Sequence, residues 1–340
     1  MKLEQITDEK TIEWLLEKEN PSVKYFTLTK LLKKSESDKE VLDSKNDIMK
    51  IGIVPALLDK QNEAGYWGEP LKFYTNKYSG TVWQLIILAE MGADINNIRI
   101  KKACEFILEN SQDIESYGFA VNRSSKNGGG RHSEVIPCLT GNMIWSLIKL
   151  GYLNDERIKK CVEWICKYQR SDDGISDVPK EWPYNRYEMC WGKHTCHMGV
   201  VKSLKALSAI PKGKRDKSVI EKIQTLSEYM LIHHIYKKSH DLNSTSKPGW
   251  FKLGFPLMYQ TDILEILGIL IELDYHDSRM EDAIEKLKIK QNKEKRWDLE
   301  NTFNGRMIKN VETKGKSSKW ITLKALNVLH INQLVEFART

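Results

Sequence analysis

Leu57-Leu58-Asp59-Lys60-Gln61-Asn62-Glu63-Ala64-Gly65-Tyr66-Trp67-Gly68 leads into the apolar run Thr81-Val82-Trp83-Gln84-Leu85-Ile86-Ile87-Leu88-Ala89. This is the clearest copy of a unit in which a polar helix is followed by an apolar one through a Gln-x-Gly-Trp-like turn. Weaker copies run from Gln112 to Phe119, from Gln169 through Asp172-Asp173-Gly174 to Ile175, and from Gln291 to Trp297. Their glutamines recur roughly every 50 to 60 residues, with the last interval double, a period of repeat architectures. Six helix pairs are expected, and six pairs can close into a ring whose hollow axis would hold any chemistry.

Helical periodicity dominates and strand alternation is nearly absent. The first member of each pair is charged on one face, as in Arg99-Ile100-Lys101-Lys102-Ala103-Cys104-Glu105-Phe106. The second is apolar nearly all round, as in Ile263-Leu264-Glu265-Ile266-Leu267-Gly268-Ile269-Leu270. Outer amphipathic helices around inner buried ones follow from that contrast. Inner helices are expected to start near Ser22, Gly80, Leu139, Trp191, Leu257 and Ser318. The joins that lead into inner helices are long, so the long loops gather at one end, above the inner N-termini. The fold class is all-α, an α/α toroid, with residues 1–340 as a single domain.

The chain has 340 residues, 53 basic against 46 acidic, a net charge of +7, and a mean hydropathy of −0.49. Lysines alternate with acids along helix faces, which is a solvated surface and not a nucleic-acid footprint. No apolar run reaches the length of a membrane span. The charged N-terminus has no signal-peptide core, so the expected location is cytoplasmic. Six cysteines then point to reduced thiols or metal ligands before disulfides. Cys104, Cys161 and Cys166 sit in amphipathic helices as small core residues.

The densest chemistry is Glu188-Met189-Cys190-Trp191-Gly192-Lys193-His194-Thr195-Cys196-His197. On one continuous helix, Cys190, His194 and His197 would share a face, offering a thiolate and two imidazoles suited to zinc. Cys138, opening the preceding inner helix, would add a fourth ligand; the other reading is packed side chains without metal. Asp262, a carboxylate entering an apolar helix, is a catalytic candidate together with Cys190 and His194. Its alternative role is a helix N-terminal charge. Trp83, Trp191, Tyr259, Trp250, His240 and Trp320 are expected to line the substrate rim.

The Gln-x-Gly-Trp repeats and the segment Gly80 to Gly92 resemble the squalene/hopene cyclase and protein prenyltransferase superfamily, from about Val54 to Leu329. That resemblance implies the toroid and an apolar or isoprenoid-like substrate in its central cavity. Prenyltransferases hold zinc through an Asp-x-Cys pair and a distant His; Glu188-x-Cys190 resembles the pair. Where the distant His belongs, the chain reads Tyr259-Gln260-Thr261-Asp262. Neither the Asp-x-Asp-Asp acid of squalene-type cyclases nor an Asp-Asp-x-x-Asp diphosphate site is present. Two alternatives stand beside the enzyme reading. One is a non-catalytic ring binding a hydrophobic ligand or a protein. The other is a glycan-active α/α barrel using Glu134, Glu188, Asp262 or Glu300 as an acid/base pair.

Overall fold

The computed structural model describes residues 3–339, with side chains through residue 331. The expected span 1–340 therefore extends beyond it by Met1, Lys2 and Thr340. The fold is mostly helical. In chain order the helices are α1 (Glu9–Leu15), α2 (Pro21–Phe26), α3 (Lys39–Ile48), α4 (Ile53–Leu58), α5 (Thr81–Met91), α6 (Ile98–Asn110), α7 (Pro137–Leu147), α8 (Glu156–Tyr168), α9 (Glu188–Trp191), α10 (His197–Ser208), α11 (Lys217–Ile232), α12 (Ile263–Glu272), α13 (Glu281–Ile289) and α14 (Lys319–Arg339). One antiparallel hairpin, β1 (Lys237–Lys238) with β2 (Asp241–Thr245), lies between α11 and α12. The sequence reading missed it because its residues are polar and alternate on no buried face.

Two kinds of helix are present, as the periodicity predicts. All of α5 is buried, and so is nearly all of α7, whereas α6 and α8 bury one stripe each. The apolar helices contact one another in succession: α5 with α7, α7 with α10, α10 with α12, and α12 with α14. Helix α14 in turn touches α2, where Phe26 and Trp320 lie with ring centroids 6.0 Å apart. Asn20 caps α2 by accepting from the Val23 amide at 3.3 Å, and Pro21 takes the first turn, where its missing N–H costs nothing.

The repeat signature has a physical job. Three of the four glutamines send their side-chain amide to two carbonyls, one in their own turn and one at or near the start of another outer helix; Gln169 instead donates to the Arg170 carbonyl and accepts from Ser203. Gln61 donates to Gly65 and Arg99 at 3.1 and 2.9 Å. Gln112 donates to Tyr117 and Arg157, both at 3.1 Å. Gln291 donates to Lys295 at 3.2 Å and to Ile6 at 2.8 Å, so the last copy is joined to the chain's beginning. The aromatic residue acts backwards: the Trp67 and Trp297 indoles donate to Leu57 and Leu287 carbonyls at 2.7 and 2.8 Å. Their backbone amides, like that of Phe119, donate to a threonine in the first turn of the following inner helix, Thr81, Thr322 and Thr140.

Three expected helices are corrected. The helical periodicity from about Ser37 to Gln61 predicts one outer helix, but the chain forms two there, α3 and α4, broken at Gly52, whose φ of 87° suits a residue without Cβ. The inner helix expected from Trp191 begins at His197. Gly192 is extended, and the strand-like stretch after it pairs with the Gln169 turn: the Thr195 amide donates to Asp172 at 2.9 Å, and His194 bridges to Asp173. The helix expected from Leu257 begins at Ile263, because Asp262 caps it and Gly254 bridges to Asn301.

Candidate functional site

Five charged side chains from four apolar helices meet in one cluster. Glu90 comes from α5, Lys202 and Lys205 from α10, Glu265 from α12 and Lys324 from α14. They form an alternating chain: Lys202 Nζ is 2.6 Å from Glu265, Glu265 is 3.1 Å from Lys205, Lys205 is 2.7 Å from Glu90, and Glu90 is 2.8 Å from Lys324. Lys202 is fully buried, and Glu90, Glu265 and Lys205 nearly so. Lys205 Nζ also sits 3.9 Å from the ring centroid of Trp145 on α7. Burial alone would raise the Glu90 carboxyl, but Lys205 and Lys324 outweigh it and hold its pKa well below the carboxylate range. Glu265 is likewise desolvated and held low by Lys202 and Lys205. Burial depresses Lys202 in spite of Glu265, whereas for Lys205 the two carboxylates overcome burial and raise its pKa.

Beside this chain are two adjoining lobes of about 160 and 150 Å³, both bordered by Lys30, Glu90, Trp145, Lys149, Lys324 and Asn327. Phe26, Trp320 and Leu323 wall the first lobe and Leu264 and Ile269 the second. Lys30 and Lys149 are exposed at the rim, as is Glu272. Of the expected rim residues, Trp320 alone borders this cavity; its ring stacks on Phe255 at 4.4 Å and its Nε1 has no protein partner. The charged floor was legible as single charges within apolar helices, but only Asp262 was singled out from the sequence.

The expected site at the long-loop end is arranged otherwise. Cys190 and His194 fall on either side of the Gly192 break, so Cys190, His194 and His197 do not share a helix face. Cys190 is buried near Cys138 and Cys196, and burial pushes its thiol up; Cys138 is pushed up to about 12 for the same reason. Among the described residues, no group of three or more His, Cys, Asp or Glu side chains is arranged to hold a metal ion. The hydrogen bonds of Asp262 go to backbone amides and not to Cys190, His194 or His240. One oxygen accepts from the Glu265 amide at 2.9 Å and the other from the Gly254 amide at 2.9 Å. Desolvation dominates its titration and lifts it to about 6.

His194 instead pairs with Asp173, Nδ1 to Oδ1 at 3.3 Å, while remaining largely exposed. Asp173 also meets His233 Nε2 at 3.4 Å and the Ser239 hydroxyl. His197 is enclosed by His233, Tyr229 and Trp250, with centroids 4.4, 5.1 and 5.3 Å away. Burial, then repulsion from His233, push its pKa down to about 3. Trp83 packs among Tyr74, Tyr78 and Tyr259, the last lying under Lys77 Nζ at 4.6 Å. Trp191 sits between Trp164 and Tyr184. His240 is exposed in the turn between β1 and β2. The carboxylates of the glycan reading are engaged separately: Glu134 with Arg131 and Asn122, Glu300 with Lys290 and the Leu253 amide. Among the described residues, no helix is long and apolar enough to cross a membrane.

No family model matches the chain, and no curated protein matches it. Among solved structures it is similar to the type II terpene cyclase MstE from Scytonema in complex with its substrate geranylgeranyl dihydroxybenzoate. That match has 11% identity and a TM-score of 0.32, and covers 88% of this chain and 97% of the other. It is also similar to MstE in complex with its product merosterolic acid A, at 12% identity and a TM-score of 0.30, covering 85% and 96%.

Proposed function

We propose that this chain is an α/α toroid of the cyclase and prenyltransferase kind, and that it takes a small ligand with an apolar body into the cavity on its axis. One observation carries the reading. Phe26, Trp145, Trp320 and Leu323, from three different inner helices, converge on a concave space that Lys30, Glu90, Lys149 and Lys324 also border. Aromatic walls with a few fixed polar groups are the usual make-up of a small-molecule site. The buried ion chain beneath supports this. Such a network is costly to desolvate and adds little stability over apolar packing, so a role in recognition is a reason to keep it.

Chemistry, if it accompanies binding, is best supported at the other end of the axis. Asp173 orients His194 in the way that positions a general base. Helix α10 rises about 12 Å between His197 and Lys205, so this pair and the axial cavity would not act on one small molecule. The non-catalytic reading therefore stands ahead of the catalytic one for the axial cavity itself. Zinc has no support from the donor arrangement and enters no step.

The test is calorimetric titration of the purified protein with octanol and farnesol, beside mass spectrometry of its organic extract. Saturable binding of one of these alcohols, weakened by Trp320→Ala, is expected. Absence of any bound amphiphile and of any binding heat would overturn the reading.

A further inference from the structure

We infer that the axial cavity recognises an anionic head, and that its ligand is a medium-chain carboxylate. The inference rests on the cavity reading above and adds the class of ligand. The buried chain Lys202–Glu265–Lys205–Glu90–Lys324 begins and ends with a cation, so it carries one positive charge more than it neutralises. The rim adds Lys30 and Lys149 against Glu272. At the lobes themselves, Lys30, Lys149, Lys205 and Lys324 stand against Glu90, Glu265 and Glu272, an excess of one positive charge.

That excess is not spread at random. Among the described residues, neither Lys30 nor Lys149 closes an ion pair, although both border both lobes. Lys324 gives one bond to Glu90 and keeps about a third of its side chain exposed. An ammonium has three donors, so all three lysines retain capacity. A carboxylate set among them would be held by charge-assisted hydrogen bonds, with its chain lying on Trp145, Trp320 and Leu323. Size selects the head group: the bulkier, doubly charged head of a phosphate ester would have to settle closer to Glu90 and Glu272 in lobes this small, which a planar carboxylate avoids. Size sets the chain length: the two lobes together lie at the lower end of the roughly 300–1,000 Å³ of small-molecule sites.

The experiment is calorimetric titration at pH 7 with octanoate, octanol and octyl phosphate, on wild type and on the double variant Lys30→Gln, Lys149→Gln. Both lysines are exposed, so the variant folds with nearly unchanged stability. Octanoate is expected to bind at least about tenfold more tightly than octanol, the scale of one or two hydrogen bonds to a charged group. The double variant should erase that advantage while leaving octanol affinity unchanged. Equal affinity for octanoate and octanol overturns the anionic head but leaves the cavity reading intact. Tighter binding of octyl phosphate overturns the choice of a carboxylate. If none of the three binds while the variant and wild type melt alike, the cavity reading itself has failed.

Discussion

Asp262 divides its two oxygens between Glu265 and Gly254, and that division fixes where α12 starts. Its titration has a definite sign. The folded-state pKa of about 6 lies above the ordinary aspartate value, so the group favours folding below about pH 4, and that contribution is lost as pH rises to 6. The contribution lost is about 3 kcal/mol. Asp262→Asn should remove this decline, seen as a flatter dependence of denaturant midpoint on pH between 4 and 6. An unchanged slope would assign the titration elsewhere, Glu312 being the other carboxyl raised by burial. The residue's importance was legible in the sequence as a charge in an apolar run. Its role was legible too, in the spacing Asp262-x-x-Glu265, the signature of a capped helix start. The helix-charge role that stands beside chemistry for Asp262 is the one its bond from the Glu265 amide fits. For Cys190 and His194 nothing local gave warning, because the break at Gly192 is imposed by pairing with a turn some twenty residues earlier.

Between helices, α7 and α10 make their closest approach at Gly141. A Cβ placed on Gly141 would lie 2.4 and 2.5 Å from the Lys202 carbonyl carbon and oxygen, both backbone atoms that cannot swing aside. Gly141→Ala should therefore push α7 from α10 and lower stability by about 1–3 kcal/mol, the cost of overpacking, despite alanine's better helix propensity. Chemical denaturation would read the loss, and a neutral or stabilising result would mean that the two helices are not so close. The existence and polarity of the paired helices were readable from period and composition because burial on all sides leaves a continuous apolar run. Their starting points at His197 and Ile263 were not, since each is decided by tertiary hydrogen bonds and not by propensity. Buried Lys202 shows the same limit: its surroundings are made by α12, sixty residues away, through the Glu265 carboxylate.

Across the whole molecule, Gln61 and Gln112 hand a hydrogen bond to the next unit, and Gln291 hands its bond to Ile6. The same junction is reinforced by the Thr11 hydroxyl donating to Glu294 at 3.0 Å and by the Lys319–Glu17 pair at 2.6 Å. Gln291→Ala should cost about 1–2 kcal/mol for the lost bonds. Hydrogen exchange should then speed up in α1 and α13 together, though 270 residues separate them. Faster exchange in only one of the two would show that the junction does not couple them. Seen as jewellery, Gln291 is a clasp that fastens the last turn to the chain's beginning. While it holds, a protease finds no loose tip at that junction to start from; opening it supplies two.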